Sequence, residues 1–452
     1  MKDKINGILI SAPSSNSGKT TVVCAILEAL KMMGHSPVSF KCGPDYIDPM
    51  FHRKVTGIPS SNLDMYLLNE NTVKYLYSKN SRLGDISVTE GVMGYYDGLS
   101  MESTDASSYA LSKTLGCPTV LIVNVKGMAM SVPALIKGFR SFRPDSTIRG
   151  VILNGASEKT YAPLKEVILR EFGGDIRPLG YLPTMKDCSV GSRHLGLITA
   201  DEIEDIKEKD LRLGRKALET IDMDALMELA SQSKEIEYED ICPEPFPEHI
   251  RIALARDEAF CFYYEDGLEL LRDLGAEIVE FSPMRDTALP EDIQGLYLGG
   301  GYPELHLDEL NGNTSMLMSI RKAVEGGLPT IAECGGFMYV QKTIAGRKVC
   351  GILDGDSENT GHLVRFGYAE MKALRDNVLF KAGQKIPVHE FHHFDSTENG
   401  HDFILTKPNG TSWEECIGTE TIYAGYPHIH LCSSSDAAKN FYRACLGYKH
   451  RK

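Results

Sequence analysis

Two short segments of this chain hold residue types in an order that can do chemistry. The first is Ser11-Ala12-Pro13-Ser14-Ser15-Asn16-Ser17-Gly18-Lys19-Thr20-Thr21, which follows an apolar run and opens a helix-like stretch. Strand, small-residue loop, Gly-Lys-Thr-Thr and helix in that order make a phosphate loop. Backbone N–H groups at the helix start meet phosphate oxygens, Lys19 neutralises the β/γ charge, and the Thr20 hydroxyl can ligate Mg2+. The expected nucleotide contacts are Ser14, Ser15, Asn16, Ser17, Gly18, Lys19, Thr20 and Thr21. The usual G-x-x-x-x-G-K-[ST] pattern is broken at its first glycine, where Pro13 stands. A serine-rich turn capping an ordinary helix is the plainer alternative, and it leaves the ordered combination unexplained.

The second segment is Pro329-Thr330-Ile331-Ala332-Glu333-Cys334-Gly335-Gly336-Phe337, a strand entering a sharp turn and then a helix. A cysteine there projects its thiol from the turn, and helix N–H groups are expected to favour the thiolate. Upstream, Leu298-Gly299-Gly300-Gly301-Tyr302-Pro303-Glu304 ends another strand, and the N–H groups of Gly300, Gly301 and Gly335 can form an oxyanion hole. A cysteine nucleophile needs a base. Tyr426-Pro427-His428-Ile429-His430 offers two histidines, which share a face if the stretch is extended, so either can serve. The cluster His389-Glu390-Phe391-His392-His393-Phe394-Asp395 has metal-like composition but lacks the H-E-x-x-H order and is not read as zinc.

Three acidic motifs accompany the phosphate loop: Gly43-Pro44-Asp45-Tyr46-Ile47-Asp48-Pro49, Asn62-Leu63-Asp64, and Glu90-Gly91-Val92-Met93-Gly94-Tyr95-Tyr96-Asp97. Loops at the carboxyl ends of parallel strands meet at one crevice, so Asp45, Asp48, Glu90 and Asp97 can gather beside the phosphates. Each motif taken alone also fits an ordinary turn carboxylate.

The elements that must position these residues are legible as alternating strands and helices. Ile5–Ala12, Val38–Lys41, Ile86–Thr89, Thr119–Val125, Gly150–Leu153 and Arg177–Leu182 read as strands, with a helix over Thr20–Met33. Ser233–His249 turns acidic and then proline-rich, which predicts a linker. A second alternation begins at Arg251, with strands expected at Ile278–Phe281, Gly295–Leu298 and Pro329–Ala332. The expected fold class is therefore α/β, with two domains (1–240 and 246–452), each a mostly parallel sheet flanked by helices. The length of 452 residues agrees with two cores. A net charge of -14 argues against a nucleic-acid partner. The 11 cysteines form no C-x-x-C pair, and no apolar run is long enough for a membrane span, which implies a reducing, cytoplasmic setting.

Taken together, the phosphate loop, Gly-Pro-Asp-Tyr-Ile-Asp-Pro, Glu-Gly-Val-Met-Gly, Gly-Gly-Gly-Tyr-Pro-Glu, the cysteine elbow and His-Glu-Phe-His resemble the cobyrinic acid a,c-diamide synthase family over nearly the whole chain. The resemblance implies a dethiobiotin-synthetase-like P-loop domain joined to a class I glutamine amidotransferase-like domain. It implies amidation of the a and c acetates of a corrinoid (cobyrinate or a related tetrapyrrole), using ATP, Mg2+ and L-glutamine. It assigns Cys334 as glutaminase nucleophile with His428 as partner, and Lys19 and Thr20 to ATP and metal. Thr20, Asp45 and Glu90 would hold the metal, with Asp45, Tyr46, Asp48, Asp64 and Asp97 around the synthetase substrate. The chain departs from related class I domains where His430 replaces the glutamate of a His-x-Glu triad ending, which implies a dyad. Neighbouring readings are the same chemistry on Ni-sirohydrochlorin, cobyric acid synthesis, or a P-loop regulatory switch carrying a degenerate glutaminase.

Overall fold

The computed structural model describes residues 1–188 and 200–451. It divides into two compact units, Met1–Ile241 and Cys242–Lys452.

In the first unit, β1 (Gly7–Ser11), β2 (Pro37–Cys42), β3 (Ser60–Leu63), β4 (Ile86–Glu90), β5 (Thr119–Asn124), β6 (Ile148–Asn154) and β7 (Arg177–Leu182) form one parallel sheet. Its order is β3-β2-β4-β1-β5-β6-β7. β1 reads Gly-Ile-Leu-Ile-Ser and is buried throughout, as a strand must be when helices cover both faces of a sheet. α1 (Lys19–Met32) starts directly after the phosphate loop, and Gly34 beyond its end takes φ +88, which only glycine adopts freely. A short α2 (Ile47–Phe51) follows β2. α3 (Ala200–Thr220) crosses α1 closely where a Cβ on Gly214 would stand 2.7 Å from Glu28 Cβ. The chain moves from β1 to one side of the sheet and later returns to the other at β5, so the crevice opens at the carboxyl ends around β1 and β4.

The expected linker needs correction. Ile236–Glu237 pairs antiparallel with Lys2–Asp3, Ser233 Oγ donates to Gly7 O at 2.7 Å, and the Tyr238 hydroxyl donates to Asp3 Oδ2 at 2.7 Å. Backbone pairing and two buried or half-buried hydroxyls tie the acidic stretch into the first unit, despite its linker-like composition.

In the second unit, β8 (Ile250–Ala255), β9 (Ala276–Phe281), β10 (Gly295–Leu298) and β11 (Thr330–Glu333) are parallel. α4 (Gly335–Val340) leaves β11 through Cys334. The composition reading did not resolve a second sheet that packs on this one. It is antiparallel and consists of β12 (Arg365–Ala373), β13 (Lys385–His392), β14 (Phe403–Thr406), β15 (Ser412–Glu415) and, later in the chain, β18 (His428–Ile429). Its order is β15-β14-β12-β13-β18. β16 (Ile417–Gly418) and β17 (Ile422–Gly425) complete the first sheet in the order β9-β8-β10-β11-β17-β16, with β16 antiparallel. Ile331 and Tyr423 of one sheet share a core with Met371, Val388 and Leu405 of the other. Alternation is clear along β13, where Ile386, Val388, Glu390 and His392 are buried and Phe391 is exposed.

Candidate active sites

The phosphate loop folds as a turn that braces itself. Ser17 Oγ donates to Ser14 O at 2.9 Å, and Asn154 Nδ2, from the end of β6, donates to Ser17 O at 2.9 Å. Asn16 and Gly18 take positive φ, 59 and 85, and the amide of Asn154 lies where a Cβ on Gly18 would sit. Ser14, Ser15 and Asn16 are exposed, whereas Ser17 and Lys19 are buried and Gly18, Thr20 and Thr21 lie partly buried at the helix start.

Lys19 Nζ donates to Ser14 O at 3.1 Å and to Met93 O at 2.5 Å, so it joins the phosphate loop to the loop after β4. Tyr95 N–H donates to Ala12 O at 2.8 Å across the same join. Thr20 Oγ1 donates to Glu90 Oε1 at 2.6 Å. That same oxygen accepts from Lys41 Nζ at 2.9 Å, and Lys41 also donates to Asp48 Oδ2 at 2.5 Å and lies 3.7 Å from Asp45 Oδ2. One ammonium thus draws three carboxylates together. Burial opposes the Lys41 charge, but Glu90, Asp48 and Asp45 hold its pKa well above the usual lysine value. Burial raises the Glu90 and Asp45 carboxyls, with Lys41 pulling each the other way. Burial, then repulsion from Lys41, lowers the Lys19 ammonium.

The remaining acidic positions separate. Asp97 is exposed, and its Oδ2 accepts from Gly94 N–H at 2.9 Å while its charge still acts on Lys19. Asp45 Oδ1 accepts from Ile47 N–H at 2.8 Å, which shapes the start of α2 beside the half-buried Tyr46. Asp64 is fully buried, and its Oδ1 accepts from the Tyr66 and Leu67 N–H groups, each at 2.8 Å. That geometry makes Asp64 a turn-forming carboxylate. Asn124 caps its own loop, accepting from Lys126 N–H at 3.1 Å.

In the second unit, Cys334 takes φ 50 and ψ −104 between β11 and α4. This is a strained conformation for a residue with a side chain, and such strain concentrates at functional turns. Small neighbours are required. A Cβ on Gly336 would collide with Leu298 O, and one on Gly335 would lie 3.2 Å from Gly301 N. A Cβ on Gly300 would lie 2.5 Å from His428 Cε1. The Gly300–Gly301 strand therefore touches both the cysteine elbow and the His428 ring. Gly336 N–H donates to Gly299 O at 2.9 Å, and Gly300 and Gly301 pair antiparallel with Phe262 and Phe260 beside the turn.

The expected thiolate does not arise from the helix terminus. Burial pushes the Cys334 thiol pKa up, Glu304, Glu333 and Glu390 add to this, and a hydrogen bond from Gly335 N–H acts the other way. Burial in a site with three nearby carboxyls outweighs one turn of helix.

The two histidines also part company. Strand pairing ends at Ile429, and His430 becomes the cap of a short helical turn over Leu431–Ser433. Its Nδ1 accepts from Cys432 N–H at 3.3 Å, and its ring stacks on Tyr264 with centroids 4.6 Å apart. His430 keeps extended dihedrals, φ −88 and ψ 104, so the two histidines differ in what their rings meet and not in the backbone that carries them. His428 instead has its Nδ1 4.0 Å from Glu333 Oε2. Glu333 Oε1 accepts from Ile429 N–H at 3.3 Å, and Oε2 accepts from the Tyr297 hydroxyl at 3.1 Å. Burial raises the Glu333 carboxyl to about 8 and lowers His428 to about 3.

Lys41, Asn154 and Glu333 were not singled out by sequence reasoning. The available signal for two of them was a charge near the carboxyl end of an otherwise buried parallel strand, where a solvated role is excluded.

Comparison with known proteins agrees with this two-site arrangement. Residues 8–197 match the family described as the CobQ/CobB/MinD/ParA nucleotide binding domain, and residues 251–436 match the CobB/CobQ-like glutamine amidotransferase domain. A protein of Clostridium tetani named cobyrinate a,c-diamide synthase is 42% identical over 96% of this chain and 99% of its own length. Proteins of the same name from Caldanaerobacter subterraneus subsp. tengcongensis and Priestia megaterium are 39% and 37% identical. They cover 97% and 98% of this chain, and 98% and 97% of their own lengths. The chain belongs to the cobyrinate a,c-diamide synthase family.

Proposed function

We propose that the chain is a glutamine-dependent ligase that converts the a and c carboxylates of cobyrinate to amides at the expense of ATP. The observation that carries this reading is the presence in one chain of the Lys19–Thr20–Glu90–Lys41 cluster and the Cys334 elbow. Full-length similarity to synthases of that name supports the substrate.

A carboxylate is a poor acyl donor. In the synthetase unit a substrate carboxylate oxygen attacks the γ-phosphorus of ATP, ADP leaves, and an acyl phosphate forms. Ammonia then attacks the acyl carbon, phosphate departs, and nitrogen loses a proton to give the amide. Lys19 and the phosphate-loop N–H groups hold the phosphates, and Asp45, Asp48 and Asp97 line the acceptor side. Glu90 Oε2 is buried and has no hydrogen-bond partner among the described residues, and Thr20 supplies a hydroxyl beside the other Glu90 oxygen. An all-oxygen donor set of this kind fits Mg2+, with Thr20, Glu90 and Asp45 as its residues. The ion supplies neutralisation of phosphate charge.

In the glutaminase unit Cys334 Sγ attacks the glutamine amide carbon and passes its proton by way of His428 to the departing nitrogen. Ammonia leaves, and water hydrolyses the thioester to glutamate. Gly335, Gly300 and Gly301 N–H groups are the candidate oxyanion donors, and Glu333 orients His428. The test is a panel of cobyrinate and metal-loaded sirohydrochlorins incubated with ATP, Mg2+ and glutamine and read by mass spectrometry. Replacement of –OH by –NH2 in two carboxyl groups of cobyrinate is expected. Turnover of sirohydrochlorin alone would overturn the corrinoid assignment.

A further inference from the structure

The sequence pattern of the His389–Asp395 segment argues against zinc because its own residues lack a metal-binding order. The fold supplies what the segment lacks. Glu390 and His392 sit two residues apart on the inner face of β13, and Glu415 comes from β15 at the far edge of the same sheet. All three are buried, and one potential ligand atom from each lies within 4.8 Å of the others.

The local hydrogen bonding fixes the donor atoms. His392 Nδ1 donates to Phe394 O at 2.6 Å, which makes Nε2 the lone-pair nitrogen of the neutral ring. That nitrogen lies 3.8 Å from Glu390 Oε1, and neither atom has a hydrogen-bond partner among the described residues. Two lone-pair atoms facing each other in a dry interior repel. Their separation is near the roughly 3.4 Å that two ligands span across a tetrahedral ion with bonds of about 2.1 Å. One carboxyl oxygen of Glu390 and one of Glu415 lie within 4.8 Å of each other in the interior, a separation that a bridging cation would favour. Glu415 is held in place by Trp413 Nε1, which donates to its Oε2 at 2.6 Å, and His392 is clamped against Tyr426 with ring centroids 3.9 Å apart and planes 2° apart. The charges of Arg365 and Lys407 act on Glu390. Arg365 opposes His392 in the strand register, and its guanidinium lies over the Trp413 ring at 4.9 Å.

We propose that Glu390, His392 and Glu415 form a structural binding site for a divalent transition-metal ion of the zinc class, separate from the Mg2+ and ATP site. One imidazole with two carboxylates suits zinc better than Mg2+, which prefers all-oxygen shells and keeps its waters. Two carboxylate charges match a divalent cation. The ion ties β13 to β15, and through the His392–Tyr426 stack it stiffens the wall beside Phe337 in α4, whose ring meets Tyr426 edge-on at 5.1 Å.

The test uses the full chain, purified without a histidine tag or chelator, and measures metal by mass spectrometry after gel filtration. About one equivalent of zinc per chain is expected, falling at least tenfold in each of Glu390→Gln, His392→Ala and Glu415→Gln. Because a variant can misfold, the parent protein is also stripped with chelator and refilled with Co2+. Visible d–d absorption in the parent, absent from the folded Glu390→Gln protein, is the expected result. Metal at background level together with no Co2+ absorption in the parent would mean that a shared proton bridges the two carboxyls. Retention of full metal in all three variants would place the ion elsewhere, on a cysteine set for example. Either result overturns the proposal, and neither bears on the amidation assay.

Discussion

Replacing Glu333 by glutamine tests whether the chain has recovered by geometry the triad acid that its His-x-His ending lacks. The substitution keeps the shape and an acceptor for Ile429 N–H, and it removes the ionisable carboxyl 4.0 Å from His428 Nδ1, the charge of which attracts a protonated His428 when it forms. At an effective dielectric of about 20, opposite charges at that distance attract by about 4 kcal/mol, which is a ceiling of nearly 10³-fold on the rate. Side-chain relaxation and the Tyr297 hydrogen bond reduce this, and a fall of about 10- to 100-fold in glutamine hydrolysis is expected. The pH profile is more telling than the rate. With a carboxyl near 8, about one molecule in eleven carries the anion at pH 7 and about ten in eleven at pH 9. Parent glutaminase should therefore rise about tenfold over that interval through the Glu333 limb alone. Glu333→Gln should lose that limb, Glu333→Asp should restore part of it, and ammonia-dependent amidation should be unchanged in both. Glutamate release is measured from pH 6 to 9.5 at saturating glutamine. A glutamine variant with parental kcat and the same limb would refute the orienting role, leaving Glu333 as a buried acid satisfied by Tyr297.

Cys334→Ala should abolish glutamine use while ammonium chloride still supports diamide formation; glutamine-driven synthesis at the parental rate would remove Cys334 from the mechanism. Lys19→Ala should abolish amidation with either nitrogen source, and loss confined to the glutamine reaction would show that the nucleotide site lies elsewhere. Asp97→Asn should lower the ammonia-dependent rate by about tenfold, or about 1.4 kcal/mol, and spare basal glutaminase; a normal rate would return Asp97 to its role as acceptor for Gly94 N–H. His430, held near 3 by burial against an unfolded value near 6.5, binds its proton in the unfolded chain first. Its stabilisation is therefore complete above about pH 6.5 and lost as pH falls toward 3, at up to about 1.4 kcal/mol per unit. Because buried carboxyls such as Glu333 act with the opposite sign, the measurement is the difference in urea stability between parent and His430→Gln at pH 7.5 and 5.5. A difference that does not shrink at the lower pH would sink the argument.

The parallel sheets and the phosphate loop were legible because their signals are local. A continuous apolar run, small residues and Gly18-Lys19-Thr20 occur within a few positions, and β1 and α1 follow from them. The second sheet of the glutaminase unit was not legible as a whole, because its strands span residues 365–429 with half-polar alternation, and β12 with β14 and β13 with β18 pair out of chain order; the local signal it did carry, Asn409-Gly410 in the five-residue turn between β14 and β15, was passed over. Cys334 could be found from its glycines. His428 and His430 could not be told apart, since their difference is set by what each ring meets, Glu333 for one and Tyr264 for the other. Lys41 reads in the sequence only as a strand residue, and its encounter with Glu90, Asp45 and Asp48 is what gives it a role. The linker composition over 233–249 begins inside the expected first domain, 1–240, and composition does not register the two-residue pairing with the N-terminal Lys2–Asp3 that holds 236–237 there.

The two units handle buried acids in opposite ways, and the contrast follows from what each reaction requires. Around Glu90, a buried lysine opposes the rise that burial imposes on the carboxyls and draws them close together, while Lys19 bridges the phosphate loop and the loop after β4. Removing Lys41 would leave Glu90 and Asp48 buried without compensation, which is the expensive way to break an ion pair. Around Cys334, no lysine or arginine stands against Glu333 in the hydrogen bonds described, and burial is left to hold its proton. A neutral acid, a neutral imidazole and a thiol are the resting forms that such burial favours, so on the proposed mechanism the nucleophile would be generated by moving a proton within the site. Phosphoryl transfer needs fixed charge in place before substrate arrives, whereas thioester formation needs a thiolate only while glutamine is bound. Burial with a cation and burial without one provide these two conditions from the same residue type.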